Sequence, residues 1–256
     1  MFKMISAELY KLRKSKSFWI MLAIVVGLSV MISVVFGIIP ANELMGMRPE
    51  SASAMLIGAL PMNISNMLFI LVGFIVVFIS SDFDSGTIRN PLAVGVSRLE
   101  YFIGKFVTIL ITCAVFVVAT LLATALPYLL FEPWGDAFNV TNFIASVGVG
   151  YLILVAQATL FMAIAMMGRR IGVTLGIIMG YLVLDMIIGA IIVMINIEGI
   201  LRTLANILPT PAGYYLSGLA VGVADFGNVM MVIVVSVVMM IVVSVLAIGS
   251  LIKKDI

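Results

Sequence analysis

FGNVMMVIVVSVVMMIVVSVLAIGSL, residues 226–251, contains no charged side chain in 26 positions. An α-helix rises 1.5 Å per residue, so a run of this length exceeds the roughly 30 Å of hydrocarbon in a bilayer. Five more apolar blocks precede it, at about 18–39, 57–79, 106–130, 143–167 and 171–195. Each is about 20 residues or a little longer, the length that a helix needs to cross. Charges are confined to the gaps. Of the 14 Lys and Arg, 12 fall in the N-terminal segment, the second gap, the fourth gap and the C-terminus; only Arg48 and Arg202 occupy the others. If alternate gaps face opposite sides, the basic side is cytoplasmic. The sequence therefore predicts an all-α integral membrane protein with six transmembrane helices and both termini inside.

Composition agrees. The chain is 64 % hydrophobic and 10 % charged, and a soluble fold of 256 residues needs a far more charged exterior. Its net charge of +2 comes from membrane-flanking cations and gives no reason to expect nucleic acid. One cysteine, Cys113, excludes an intrachain disulfide. The absence of His removes the commonest general base and metal ligand, so no catalytic and no metal-binding residues are expected. With no H-E-x-x-H, no G-x-S-x-G and no basic partner for the thiol in its own span, an intramembrane enzyme is disfavoured. The apolar run after Lys11, Arg13, Lys14 and Lys16 is too long for a signal-peptide core and reads as a retained span.

Residues 1–17 read as an amphipathic helix lying in the lipid headgroup region. Phe2, Ile5, Leu9 and Leu12 share one stripe. Glu8 is spaced to pair with Lys11, and Trp19 stands at interface depth. Residues 168–170 form a tight turn, which makes the fourth and fifth spans an antiparallel hairpin. The long gap at 196–225 is extracellular or re-entrant. Ile200, Leu201, Leu204, Ile207 and Leu208 suit a short amphipathic helix, Pro209 and Pro211 break it, and the apolar 212–223 is too short to span. The whole chain, 1–256, reads as a single transmembrane domain with no separate soluble unit.

Two features lie inside spans. Asp185 is about 21 Å along the fifth span, where an Asp costs about 2.5–3.5 kcal/mol on insertion scales and so needs protein or water around it. Gln157 on the neighbouring span is placed to donate a hydrogen bond to it. Asp185 and Gln157 are read either as translocation-cavity residues or as an interhelical packing contact. Gly172, Gly176 and Gly180 form a small-residue face on the same span. Packing within one subunit is the favoured reading of that face, and dimerisation the alternative. The 19 Met suit an adaptable lining, or ordinary core and lipid-facing use.

The second gap, 82–105, carries acids at Asp82 and Asp84, then Gly86-Thr87-Ile88-Arg89, with Pro91 and Gly95 separating it from the next span. Ser97 followed by Glu100 at the third helical position is capping-box spacing, so the third span should begin as a helix at Arg98 and enter the membrane near Phe106. Read physically, the segment is a solvated inner loop. Its order of Asp82, Asp84, Gly86, Thr87, Ile88, Arg89, then Leu92, Ser97-Arg98, Tyr101 and Lys105, resembles the signature loop of permeases of the second-type ABC exporter family, with Asp where Glu is usual. Glu8, Lys11, Arg13, Lys14 and Trp19 are similar to that family's opening amphipathic helix, and Ile207-Leu208-Pro209 to the segment before its last span.

The resemblance implies a mechanism. Two copies of the permease, or this chain and a close paralogue, pair in a prokaryotic plasma membrane, and two separate ATPase subunits bind from the cytoplasm. The second gap is then the coupling loop. Asp82, Asp84, Gly86, Thr87, Ile88, Arg89, Arg98 and Lys105 would be the ATPase-coupling residues, with Arg89 and Arg98 forming ion pairs and Gly86-Thr87-Ile88 a packed ridge. ATP and Mg would sit on the partner: Gly104-Lys105 is followed by Phe106, so the chain has no phosphate-binding loop of its own. Small six-span members suggest export of, or immunity to, amphipathic or antimicrobial peptides. The competing expectation is a secondary carrier or channel working through Asp185.

Overall fold

The structure is a computed structural model that describes residues 2–38, 51–131, 134, 139–195, 206–222 and 226–253. Among these residues there is no strand. The helices are α1 (Phe2–Lys14), α2 (Lys16–Ile38), α3 (Ala52–Ile75), α4 (Ser81–Asp84), α5 (Arg89–Ala93), α6 (Arg98–Phe131), α7 (Val140–Gly168), α8 (Ile171–Ile195), α9 (Pro209–Val221) and α10 (Phe226–Lys253). A single π-helical stretch, Val76–Ser80, joins α3 to α4. Six helices are long and apolar enough to cross a membrane, and they follow the six apolar blocks closely.

α7 and α3 form the centre. α7 packs on α3, α6, α8, α9 and α10, and α3 on α2, α6, α7 and α9. Two-thirds of the α7 span is buried, against 17 % for α10 at the edge. Buried polar groups tie the spans together, as with Asn63 Nδ2 donating to Thr124 Oγ1 at 3.2 Å and Ser80 Oγ to Thr174 Oγ1 at 3.1 Å. In an apolar surrounding such bonds hold register as well as contributing about 0.6–2 kcal/mol each.

The turn between α7 and α8 is as tight as the sequence requires. Arg169 takes the left-handed conformation (φ 58°), and its N–H caps the carbonyl of Ala165. A Cβ on Gly168 would lie 2.8 Å from Thr174 Oγ1, so only glycine lets the hairpin close here.

Two expectations change, and a third falls mostly outside the described residues. The two prolines begin a helix rather than only ending one: Pro209 occupies the first turn of α9, where a missing N–H costs nothing. The expected amphipathic helix at 200–208 falls mostly on 196–205, outside the described residues. The glycine face of α8 is not packed within the subunit among the described residues. A Cβ at Gly172, Gly176 or Gly180 meets nothing within 4 Å, because α8 lies at the periphery with Val173, Ile177 and Met179 exposed.

Candidate functional site: two polar clusters at opposite ends of the bundle

The third span starts where its cap dictates. The Ser97 hydroxyl accepts from the Glu100 N–H at 3.1 Å, and the Glu100 carboxylate accepts from the Ser97 N–H at 3.2 Å, a reciprocal capping box. One turn and a half further on, Lys105 is fully buried. A buried ammonium must be paired. Its Nζ lies 2.8 Å from Glu8 Oε2 and 2.6 Å from Asp82 Oδ2, and 4.2 Å from the centre of the Phe78 ring. Asp82 in turn pairs through Oδ1 with Lys11, and the Tyr101 hydroxyl donates to its Oδ2 at 3.1 Å. The Thr87 hydroxyl donates to the carbonyl of Asp82 at 3.4 Å. Two carboxylates and two ammonium groups, from α1, α4 and α6, therefore meet in one charge-balanced cluster.

Backbone proximity makes this meeting feasible. Gly104 brings α1 against α6: Met4 Cγ stands 3.0 Å from where its Cβ would be. The ridge that α1 turns to the protein is Met4, Glu8 and Leu12, all buried, with Ile5 and Leu9 half-buried beside it. Glu8 and Lys11, read as partners from their spacing, reach across instead to Lys105 and Asp82.

The rest of the second gap divides by exposure. Ile88 is buried and its N–H bonds the Asp82 carbonyl at 3.0 Å. Gly86 and Gly95 take positive φ, 70° and 89°, at the two turns on either side of α5. Asp84, Thr87 and Arg89 face outward, as does Val94. Arg98, expected as a surface ion-pairing group, is half-buried, and its Nη1 donates to the carbonyls of Leu251 and Ile252, both at 2.6 Å. It thereby caps the C-terminal end of α10. Lys105 and Asp82 are both buried. They hold the loop from behind.

The second cluster gathers around α9. Asp185, 2 % exposed, accepts on Oδ2 from the Thr210 N–H (3.1 Å) and hydroxyl (2.7 Å). A carboxyl group at the first turn of a helix meets free N–H groups and the positive end of the dipole. Gly189 lets α9 approach so closely: a Cβ there would be 2.8 Å from Thr210 Cβ and 3.2 Å from Pro211 Cδ. Gln157 does not reach Asp185 as expected. It donates to the Ile207 carbonyl at 2.7 Å and accepts from the Tyr181 hydroxyl at 2.9 Å. The physical reason is that the carbonyl just before α9 lacks a helical partner, and the amide satisfies it. Both residues thus hold the 207–210 segment, which is the packing alternative. Tyr181 and Thr210 were not legible as members of this cluster; only the isolated acid announced it.

With these clusters in view, comparison with known families is decisive. A family model described as ABC-2 family transporter protein matches residues 4–185, more than half of the 256-residue chain.

The chain belongs to the ABC-2 transporter family.

The match runs from α1 through Asp185 and includes the whole four-charge cluster. This ABC-2 protein is therefore a multi-pass membrane permease subunit of an ABC transporter, a family that works with an ABC ATPase. Comparison with curated proteins finds no match.

Proposed function

We propose that the ABC-2 permease moves its substrate by receiving force on residues 81–97 from a separate ATPase. One observation carries the reading. The segment is anchored from behind by the buried ion pairs of Lys105 with Glu8 and Asp82, and by the exposed Lys11 on Asp82, while Asp84, Thr87, Arg89 and Val94 face outward. A surface meant to be pushed has to be rigidly tied to the spans it moves, and buried ion pairs that are costly to break supply such a tie. Arg98 ties the exit of the same segment to the end of α10.

In this reading residues 81–97, both termini and the α7–α8 turn face the cytoplasm of a prokaryotic cell, and α1 lies along the inner headgroups, its exposed Lys3, Arg13 and Lys14 toward anionic lipid. α9 dips back into the opposite side of the membrane, where α3, α7 and α8 satisfy it. Two permease copies, or this chain and a paralogue, pair with two ATPase chains that carry ATP and Mg. The resemblance to small six-span members supports an amphipathic or antimicrobial peptide as cargo.

Arg89→Glu tests the reading. Reversing an exposed charge leaves folding unaffected but should weaken co-purification with the cognate ATPase by about tenfold, or about 1.4 kcal/mol. Undiminished co-purification in mild detergent would remove residues 81–97 as the contact.

A further inference from the structure

The hydrogen bonds at Asp185 are unevenly divided. Both donors from Thr210 end on Oδ2. Oδ1 is buried and has no hydrogen-bond partner among the described residues. An ionised carboxylate has equal acceptor capacity on its two oxygens, so a buried one gains by spreading its donors over both. A protonated acid has one carbonyl oxygen, with two lone pairs to accept on, and one O–H. Two donors on one oxygen and none on the other suits the acid better, because a neutral O–H left without an acceptor costs less than a buried anionic oxygen left without a donor.

The surroundings point the same way. α8 packs against α3, the Val76–Ser80 turn, α7 and α9. None of these contains Lys, Arg, Asp or Glu, and their titratable side chains are Tyr151, Tyr214 and Tyr215, joined by Tyr181 on α8 itself. Tyr181 donates to Gln157 and Tyr151 to the Leu110 carbonyl. Glu198 and Arg202, the charged residues of 196–205, lie outside the described residues. Among the described residues, an anion at Asp185 would have only the dipole of α9, equivalent to about half a charge, to balance it.

We propose that Asp185 is a proton-binding site: it holds a proton on Oδ1 as a neutral carboxylic acid and in that form seats the N-terminal turn of α9, which ionisation releases. Loss of the proton leaves a charge on an oxygen with no donor in a water-poor seam. Water must then enter between α8 and α9 to solvate it. The site goes beyond the reading of residues 81–97 and stands whether or not that segment meets an ATPase.

The test uses the full-length permease in lipid nanodiscs. In infrared difference spectra at neutral pH, the wild type should show a carbonyl band of a protonated carboxylic acid that Asp185→Asn lacks. Spectra with no such difference overturn the proposal. Arg202→Gln should leave the band unchanged; a band that appears only in that variant means that Arg202 neutralises an ionised Asp185, which also overturns it. Thermal unfolding supplies the second measurement. Asn offers the same two-acceptor oxygen, so Asp185→Asn should unfold within about 2 °C of wild type while Asp185→Ala falls by about 4–8 °C. Equal losses in the two variants would show that the charge itself is needed.

Discussion

At the Asp82 end of the bundle, two carboxylates meet two ammonium groups contributed by segments far apart in sequence, Glu8 on α1 pairing with Lys105 on α6. At the Asp185 end, a single carboxyl group meets a helix N-terminus and a threonine, with no cation on any element packed against it. Both sites bury a group that lipid or protein interior rejects. The first balances full charge with full charge, and removing Lys105 takes from the buried Glu8 its counter-ion. The second meets its acid with backbone and hydroxyl donors, which fix position without a counter-ion. Side-chain charges reach the first site because α1 and the gap segment lie beside it with their Lys and Asp. Among the described residues, the second is flanked by spans without a cation and has only dipoles to draw on.

The sharpest way to break this contrast is to remove one charge from the first site. Lys105→Met leaves Glu8 and Asp82 buried together, and stranding a buried charge costs about 3–5 kcal/mol. The expected result is loss of the monodisperse permease peak in size-exclusion chromatography. Adding Glu8→Gln and Asp82→Asn to the same chain should restore much of it, and no recovery would mean that packing rather than charge governs this end.

Next in size is Gly189→Ala. This change leaves every charge in place and drives a methyl group into Thr210 and Pro211. Overpacking of this kind costs about 1–3 kcal/mol. The measurable consequence is faster thiol labelling of a cysteine placed at Leu216 on α9, in a background where Cys113 is replaced by alanine. Unchanged labelling would show that close approach does not determine the seating of α9.

The smallest expected effect is Ser97→Ala, which removes one half of the capping box and costs about 0.5–2 kcal/mol. It should raise hydrogen exchange over residues 98–101 alone, leaving the Asp82 and Asp185 sites as protected as in wild type. Increased exchange at Asp82 as well would show that the cap and the ion-pair cluster act as one unit.

The two sites were unequally legible. Lys105 could have been flagged, because a cation within an apolar helix needs an acid, and the acids on its side of the membrane in the predicted topology are few: Glu8, Asp82, Asp84, Glu100 and Asp255. Choosing Glu8 and Asp82 required knowing that Gly104 admits α1, a fact about approach distance. Asp185 stood out at once as the acid inside a span. Its partner did not, because the partner is mostly backbone, and a backbone N–H carries no residue identity to read. Arg98 shows the same limit from the other side: its carbonyl acceptors at Leu251 and Ile252 have no signature in sequence.

The apolar runs and the Ser97–Glu100 cap by themselves determined the six spans, the hairpin at 168–170 and the start of α6, since hydrophobic length and capping are local and additive along the chain. Tertiary structure alone decided which face of α1 meets the protein, that α9 is seated by α8, and which charges pair. Those outcomes depend on distances between segments far apart in sequence, set by where glycine lets two backbones come close.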